Sequence, residues 1–145
     1  MRVSQKTDYA VRALVDLALN AREGAPARLS EIARRGSIPE KFLEAILVEL
    51  RRAGLVKSRR GPEGGHRLAR PPGQITLGQI RAAMDGPLSL VEPPSRRQAA
   101  APLHAGLQPM WKEVEMAIGT VLDGVTVEDM CRRVEVNSAM PDFSI

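Results

Sequence analysis

A chain of 145 residues with 43% hydrophobic and 26% charged content has the make-up of one globular domain plus an appendage, and its 3% aromatic content leaves aliphatic side chains to fill the core. Its net charge of +4 is unevenly split, because residues 1–76 hold 15 Lys and Arg against 8 Asp and Glu while residues 77–145 hold 6 against 9. No apolar run approaches the roughly 20 residues of a membrane span, Arg12 and Asp16 interrupt the stretch where a secretory signal would be continuous, and the lone Cys131 excludes an intrachain disulfide, so the cytoplasm is the expected compartment.

Residues 4–20 place Tyr9, Ala13, Leu14, Leu17 and Ala18 at helical spacing, with Lys6, Asp8, Arg12 and Asp16 largely on other faces. This predicts one amphipathic helix, ended by the Glu23-Gly24-Ala25-Pro26 stretch. Ser30 is a suitable cap for a short second helix that buries Ile32 and Ala33 and stops at Gly36. Pro39 fits the first position of a third helix, where a missing N–H is no loss, and Phe42, Leu43, Ile46, Leu47 and Leu50 mark its inward face as far as Arg51 or Arg52. Two helices joined by a tight corner, the second longer, form the helix-turn-helix pattern, which is weak evidence alone. Residues 55–58 and 66–69 then read as two short strands around a turn containing Gly61, Gly64 and Gly65. A hairpin directly after such a helix is a wing, and Lys57, Arg59, Arg60, Arg67 and Arg70 equip it to grip phosphates or enter a minor groove.

Beyond Pro71-Pro72-Gly73, Thr76 caps a helix through Leu77, Ile80 and Met84 that ends at Gly86. Residues 87–109, with five prolines and no clear period, read as a loop. From Met110 a long helix carries Trp111, Val114, Ile118, Val121 and Leu122 along one side, which makes it a candidate dimer seam. Packing back onto the first helix of the same chain is the alternative, and both can hold together. Thr126 caps a last short helix to about Arg133, and residues 137–145 read as a frayed tail. The expected organisation is a winged helix-turn-helix DNA-binding domain over 1–76, a linking helix and Pro/Ala-rich loop over 77–109, a dimerisation helix and short C-terminal helix over 110–136, and a tail over 137–145. The fold is mainly α with a small β-hairpin wing.

Pro39, Glu40, Lys41 and Glu44 occupy the exposed start of the third helix, where a winged helix-turn-helix reads base edges. A carboxylate there can accept from cytosine N4, and it also suits a helix N-terminus through the dipole. Cys131, His66 and His104 are the whole supply of cysteine and histidine, with no paired-ligand spacing, so neither metal nor catalytic site is expected and Cys131 reads as an inert thiol.

The opening Met1-Arg-Val-Ser-Gln-Lys-Thr-Asp-Tyr-Ala-Val-Arg-Ala-Leu14, the Ile38-Pro39-Glu-Lys-Phe-Leu-Glu-Ala-Ile-Leu47 helix, Arg60-Gly-Pro-Glu-Gly-Gly-His-Arg-Leu-Ala-Arg70 and Ile75-Thr-Leu-Gly-Gln-Ile80 closely resemble the bacterial Rrf-type winged-helix regulators, the family of IscR, NsrR and CymR. The resemblance runs from Met1 to about Asp129. It implies a homodimeric transcription factor whose long C-terminal helices cross and whose readers straddle a pseudo-palindromic operator on double-stranded DNA, and repression by operator occupancy is the expected action. By position it puts Pro39, Lys41 and Glu44 against bases or nearby phosphates and Arg60 in the minor groove, while His66 replaces the usual tyrosine. Together with the pattern of charge, the expected DNA-contacting set is Lys6, Ser37, Pro39, Glu40, Lys41, Glu44, Arg51, Lys57, Arg59, Arg60, Gly64, Gly65 and His66. Cluster-binding members carry three cysteines in the loop before the dimer helix, whereas residues 90–104 here contain none and Pro93 stands about where the first would be. The resemblance thus implies a regulator without an iron–sulfur cluster or other cofactor, answering to a small-molecule effector, to a partner protein, or to neither. Two other readings are a module that docks a partner enzyme and a redox or metal sensor built on Cys131 and His104 across a dimer.

Overall fold

The computed structural model describes residues 2–20 and 25–140. In chain order it has α1 (Gln5–Asn20), α2 (Leu29–Gly36), α3 (Glu40–Arg52), β1 (Val56–Arg59), β2 (Gly65–Leu68), a 3-10 turn (Pro72–Gln74), α4 (Leu77–Asp85), α5 (Arg96–Ala100), α6 (Pro102–Asp123) and α7 (Val127–Ala139). Ser4 caps α1, its hydroxyl accepting from the Thr7 N–H at 3.0 Å. The expected stop at residues 23–26 lies partly outside the described residues.

α1 is the central post: α2, α3, α4, α7 and β2 all pack against it. Ala10 and Ala13, fully buried, let neighbouring helices approach closely, and Leu14 and Leu17 fill the space between them. Leu43, Ile46, Leu47 and Leu50 of α3 close one side, Ile80 and Met84 of α4 another, and Val127 and Cys131 of α7 a third. The polar anchors of α1 are as specific as its apolar ones. Asp16, expected on a solvent face, is buried at 8% exposure, where Arg35 of α2 clasps it through Nε at 2.8 Å and Nη2 at 3.0 Å. Hydrogen bonding to Asp16 raises the Arg35 pKa above its ordinary value, outweighing the cost of burial. At the other end of α1 the hydroxyls of Ser4 and Thr7 each lie 2.7 Å from Asp85 Oδ2 at the close of α4. The Thr7 hydroxyl contributes most to holding the Asp85 carboxyl below its ordinary range.

Local boundaries shift for physical reasons. α2 opens at Leu29 rather than after Ser30, because the Glu31 carboxylate accepts from the Arg28 N–H at 3.3 Å and draws that residue into the first turn. Gly36 is the last helical residue, packed beneath the Ile38 side chain, and it is Ser37 that takes the left-handed conformation, φ 52°. Pro39 precedes the first helical residue instead of being it.

The largest revision concerns residues 87–109. Ser95 and Gln98 form a reciprocal cap that starts α5, and Pro102 opens α6 eight residues before the expected Met110. α6 runs through Pro109, giving up only the bond its missing N–H would have made to the Ala105 carbonyl. α7 likewise continues to Ala139, past the expected end near Arg133 and into the supposed tail, whose residues 141–145 lie outside the described part. The chain is pinned between α6 and α7 where the Leu77 N–H donates to the Val125 carbonyl at 2.8 Å and the Val127 N–H to the Ile75 carbonyl at 2.9 Å. Thus it is α7 that returns to α1, whereas α6 packs on α4 and α5.

Removing the carboxylate in Asp16→Ala strands the Arg35 guanidinium between α1 and α2. A loss of about 2–3 kcal/mol in urea unfolding is expected, between the values for exposed and fully buried ion pairs, against less than about 1 kcal/mol for Asp8→Ala at the exposed Arg12 pair.

Candidate nucleic-acid interface

The interface is assembled from the start of α3, the corner before it and the wing. α3 turns its buried side chains to α1 and leaves Pro39, Glu40, Lys41, Glu44 and Arg51 exposed. β1 and β2 pair antiparallel, with Lys57 opposite Arg67 and Ser58 opposite His66. The wing gains a third edge, because Ala27 and His66 exchange backbone hydrogen bonds at 3.0 and 2.7 Å. From the same segment Arg28 reaches across to donate to the Pro62 carbonyl at 2.7 Å, tying the wing tip to the entry of α2. Sequence reading missed Ala27 and Arg28, since a single bridging residue in a loop has no periodicity and an arginine aimed at a carbonyl looks like any surface cation.

Two glycines make this closeness possible. A side chain on Gly64 would collide with the Arg59 carbonyl, and Gly65 has φ +146° with the Ala27 carbonyl oxygen 2.7 Å from where its Cβ would stand. The result is a shallow groove lined by Arg28, Ser30, Glu40, Arg59, Gly64, Gly65 and His66, which joins the starts of α2 and α3 to the wing. Of the residues expected to contact DNA, Glu40, Arg59, Gly64, Gly65 and His66 share this groove. Gly64 is buried and offers backbone alone.

His66 is a structural member of the wing. Its Nδ1 shares a 2.7 Å hydrogen bond with the Ser58 hydroxyl, and burial first, then the Arg51 guanidinium, depresses its pKa below the ordinary 6.5. Lys41, Lys57, Arg59 and Arg60 are exposed and make no ion pair among the described residues, so their charge is available to an anion. Lys6 is differently engaged: its ammonium lies 2.6 Å from Glu49 and 3.3 Å from the Met84 carbonyl, joining α1 to α3 and α4. Ser37 is exposed and sets the angle of the corner through its left-handed turn. Phe42, expected inside, is 59% exposed.

A helix-turn-helix whose second helix is followed by a cationic hairpin, with backbone-tight glycines at its turn, defines a winged-helix DNA-binding transcriptional regulator rather than an enzyme. Residues 3–133 match the Rrf2 family model, described as iron-dependent transcriptional regulators, and the chain belongs to that family. It is 33% identical to the HTH-type transcriptional regulator IscR of Aliivibrio salmonicida over 90% of this chain and 77% of the relative. Among solved structures it resembles CymR, the global cysteine regulator of B. subtilis, with 33% identity, coverage of 92% and 98% of the two chains and a TM-score of 0.76. It also resembles the IscR of T. potens, with 34% identity, coverage of 98% and 93% and a TM-score of 0.75.

The iron chemistry in that family description asks for donors that this chain does not supply. Residues 90–104 hold no thiolate, and Cys131 is buried on α7 with its sulfur 3.9 Å from the Val15 carbonyl. No group of three His, Cys, Asp or Glu suited to a metal occurs among the described residues. An iron–sulfur cluster with its three or four protein ligands does not fit this donor set.

Because the folded-state pKa of His66 is depressed, its contribution to stability is complete above pH 6.5 and is lost as the pH falls through the lower folded value. Melting between pH 7.5 and 5.0 should therefore show an acid-side loss that His66→Gln removes, and the imidazole resonance should titrate below 6.5.

Proposed function

We propose that this protein is a homodimeric, sequence-specific regulator that represses by occupying a pseudo-palindromic operator, works in the cytoplasm and does so without an iron–sulfur cluster. The observation that carries the dimer is α6. Among the described residues this 22-residue helix buries none of its side chains, and Leu103, Leu107, Trp111, Val114, Ile118 and Val121 recur along one stripe. Exposures of 42% for Trp111 and 67% for Val121 fit a surface that a second copy covers. Leu122, expected in the same seam, is half-buried at its edge, and Leu103 and Leu107 extend the stripe two turns beyond what the sequence reading assigned.

Pairing through α6 holds two copies of α3 at a fixed spacing, which is how helix-turn-helix dimers match two half-sites. Glu40, Lys41 and Glu44 then face base edges and neighbouring phosphates, and Lys57, Arg59 and Arg60 grip the backbone, with Arg60 entering the minor groove. Affinity should fall steeply with salt as neutralised phosphates release counterions. The lack of thiolates in residues 90–104 supports a signal of another kind, a small-molecule effector or a partner protein received by α5 and the start of α6.

Sedimentation should show a dimer that Val121→Glu converts to a folded monomer with at least about tenfold weaker operator binding. Arg60→Ala should weaken the operator complex about tenfold while Cys131→Ser leaves it nearly unchanged, both read by footprinting on a selected site; the opposite ranking would overturn the assigned roles.

A further inference from the structure

Of the three aromatic side chains among the described residues, Tyr9, Phe42 and Trp111, Phe42 is the most exposed. It is 59% exposed on the first turn of α3. The buried Leu43, Ile46, Leu47 and Leu50 fix the inward direction of that helix, and at about 100° per residue Phe42 falls on the flank opposite Glu40 and Arg51, away from the wing. Ala45, one turn on and exposed, continues it into a small apolar strip, bordered by Lys41 and Glu44 on one side and by the Lys6–Glu49 ion pair on the other. An exposed phenyl ring gains nothing from water, so its placement among charges at the reading end of the helix calls for an apolar contact in the complex. The major groove presents a single apolar feature, the C5 methyl of thymine.

We propose that Phe42, with Ala45 beside it, is a specificity-determining residue that packs on a thymine methyl in each half-site. The inference rests on the reading of α3 as the helix that enters the groove. It divides the work on that helix: charged side chains locate phosphates and polar base edges, and the ring distinguishes thymine from the three bases that lack the methyl. Because the ring is exposed in the free protein, its removal leaves the fold intact.

The test is a methyl scan. A preferred duplex is selected from a random pool, each thymine is replaced in turn by deoxyuridine, and affinities are measured for the wild type, Phe42→Ala and Phe42→Leu. The expected result is one thymine per half-site whose demethylation weakens wild-type binding about three- to fivefold, the effect of losing one buried methyl. Phe42→Ala should bind the unmodified site more weakly by a similar factor or more and be indifferent to deoxyuridine at that position. Phe42→Leu should retain part of the sensitivity, and binding to unrelated DNA should be the same for all three. An enriched motif with no sensitive thymine, or a Phe42→Ala variant as sensitive as the wild type at every thymine, overturns this assignment alone. A pool that enriches no motif overturns the operator reading and this assignment with it.

Discussion

Everything in this molecule is positioned by the burial of one sixteen-residue helix. α1 presents alanines where other helices must come close and leucines where gaps must be filled, so the helix-turn-helix, the first strand of the return from the wing, α4 and α7 share one core. A core built around a single element transmits geometry well, because interiors packed to crystal-like density leave little slack. The ion pair between Asp16 and Arg35 fixes α2 to this post, and the Ser4 and Thr7 hydroxyls fix the end of α4. Lys6 joins the same corner to Glu49, so the start of α1, the end of α4 and the last turn of α3 meet there.

That arrangement separates rigid scaffolding from the surfaces left for partners. Among the described residues, the outward half of α3 and the wing tip carry cations that make no ion pair, whereas α6 carries apolar side chains left exposed. Between them lies the segment of α5 and the first turns of α6, rich in prolines and alanines and without a cysteine. The Leu90 N–H, in the stretch between α4 and α5, donates to Glu115 at 2.9 Å and so ties that stretch to the middle of α6.

The wing shows how function and fold compete for the same atoms. Its charge favours DNA, yet its shape depends on contacts inside the protein: the Ala27 bridge, the Arg28 tether and the Ser58–His66 hydrogen bond. With glycine at 64 and 65, backbone approaches backbone too closely for any side chain, and the hairpin is held against the Ala27 segment that precedes α2. Restricting that motion before binding lowers the entropy that a DNA complex would otherwise have to remove.

Much of this was legible in the amino-acid order. Periodicity located α1, α3 and α4 because each has one buried stripe, and Thr76, Thr126 and the glycines of the wing announced themselves through capping and turn chemistry that is local by nature. What periodicity and local chemistry could not carry was any fact that depends on two distant segments meeting. Asp16 looked like a surface acid until Arg35 came within reach, the partner that Lys6 finds in Glu49 lies 43 positions away, and Phe42 fits an apolar spacing yet stands 59% exposed. Five prolines made residues 87–109 read as loop, although Pro102 at a helix start and Ser95 with Gln98 as a cap are compatible with helix once α4 and α6 give those turns a surface to lie on. The sequence by itself determined where the helices with one buried stripe and the cations lie; only tertiary packing decided which turns of residues 87–109 are helical and which charges are neutralised within the chain, because a side chain's partner is set by distances in space that no local pattern records.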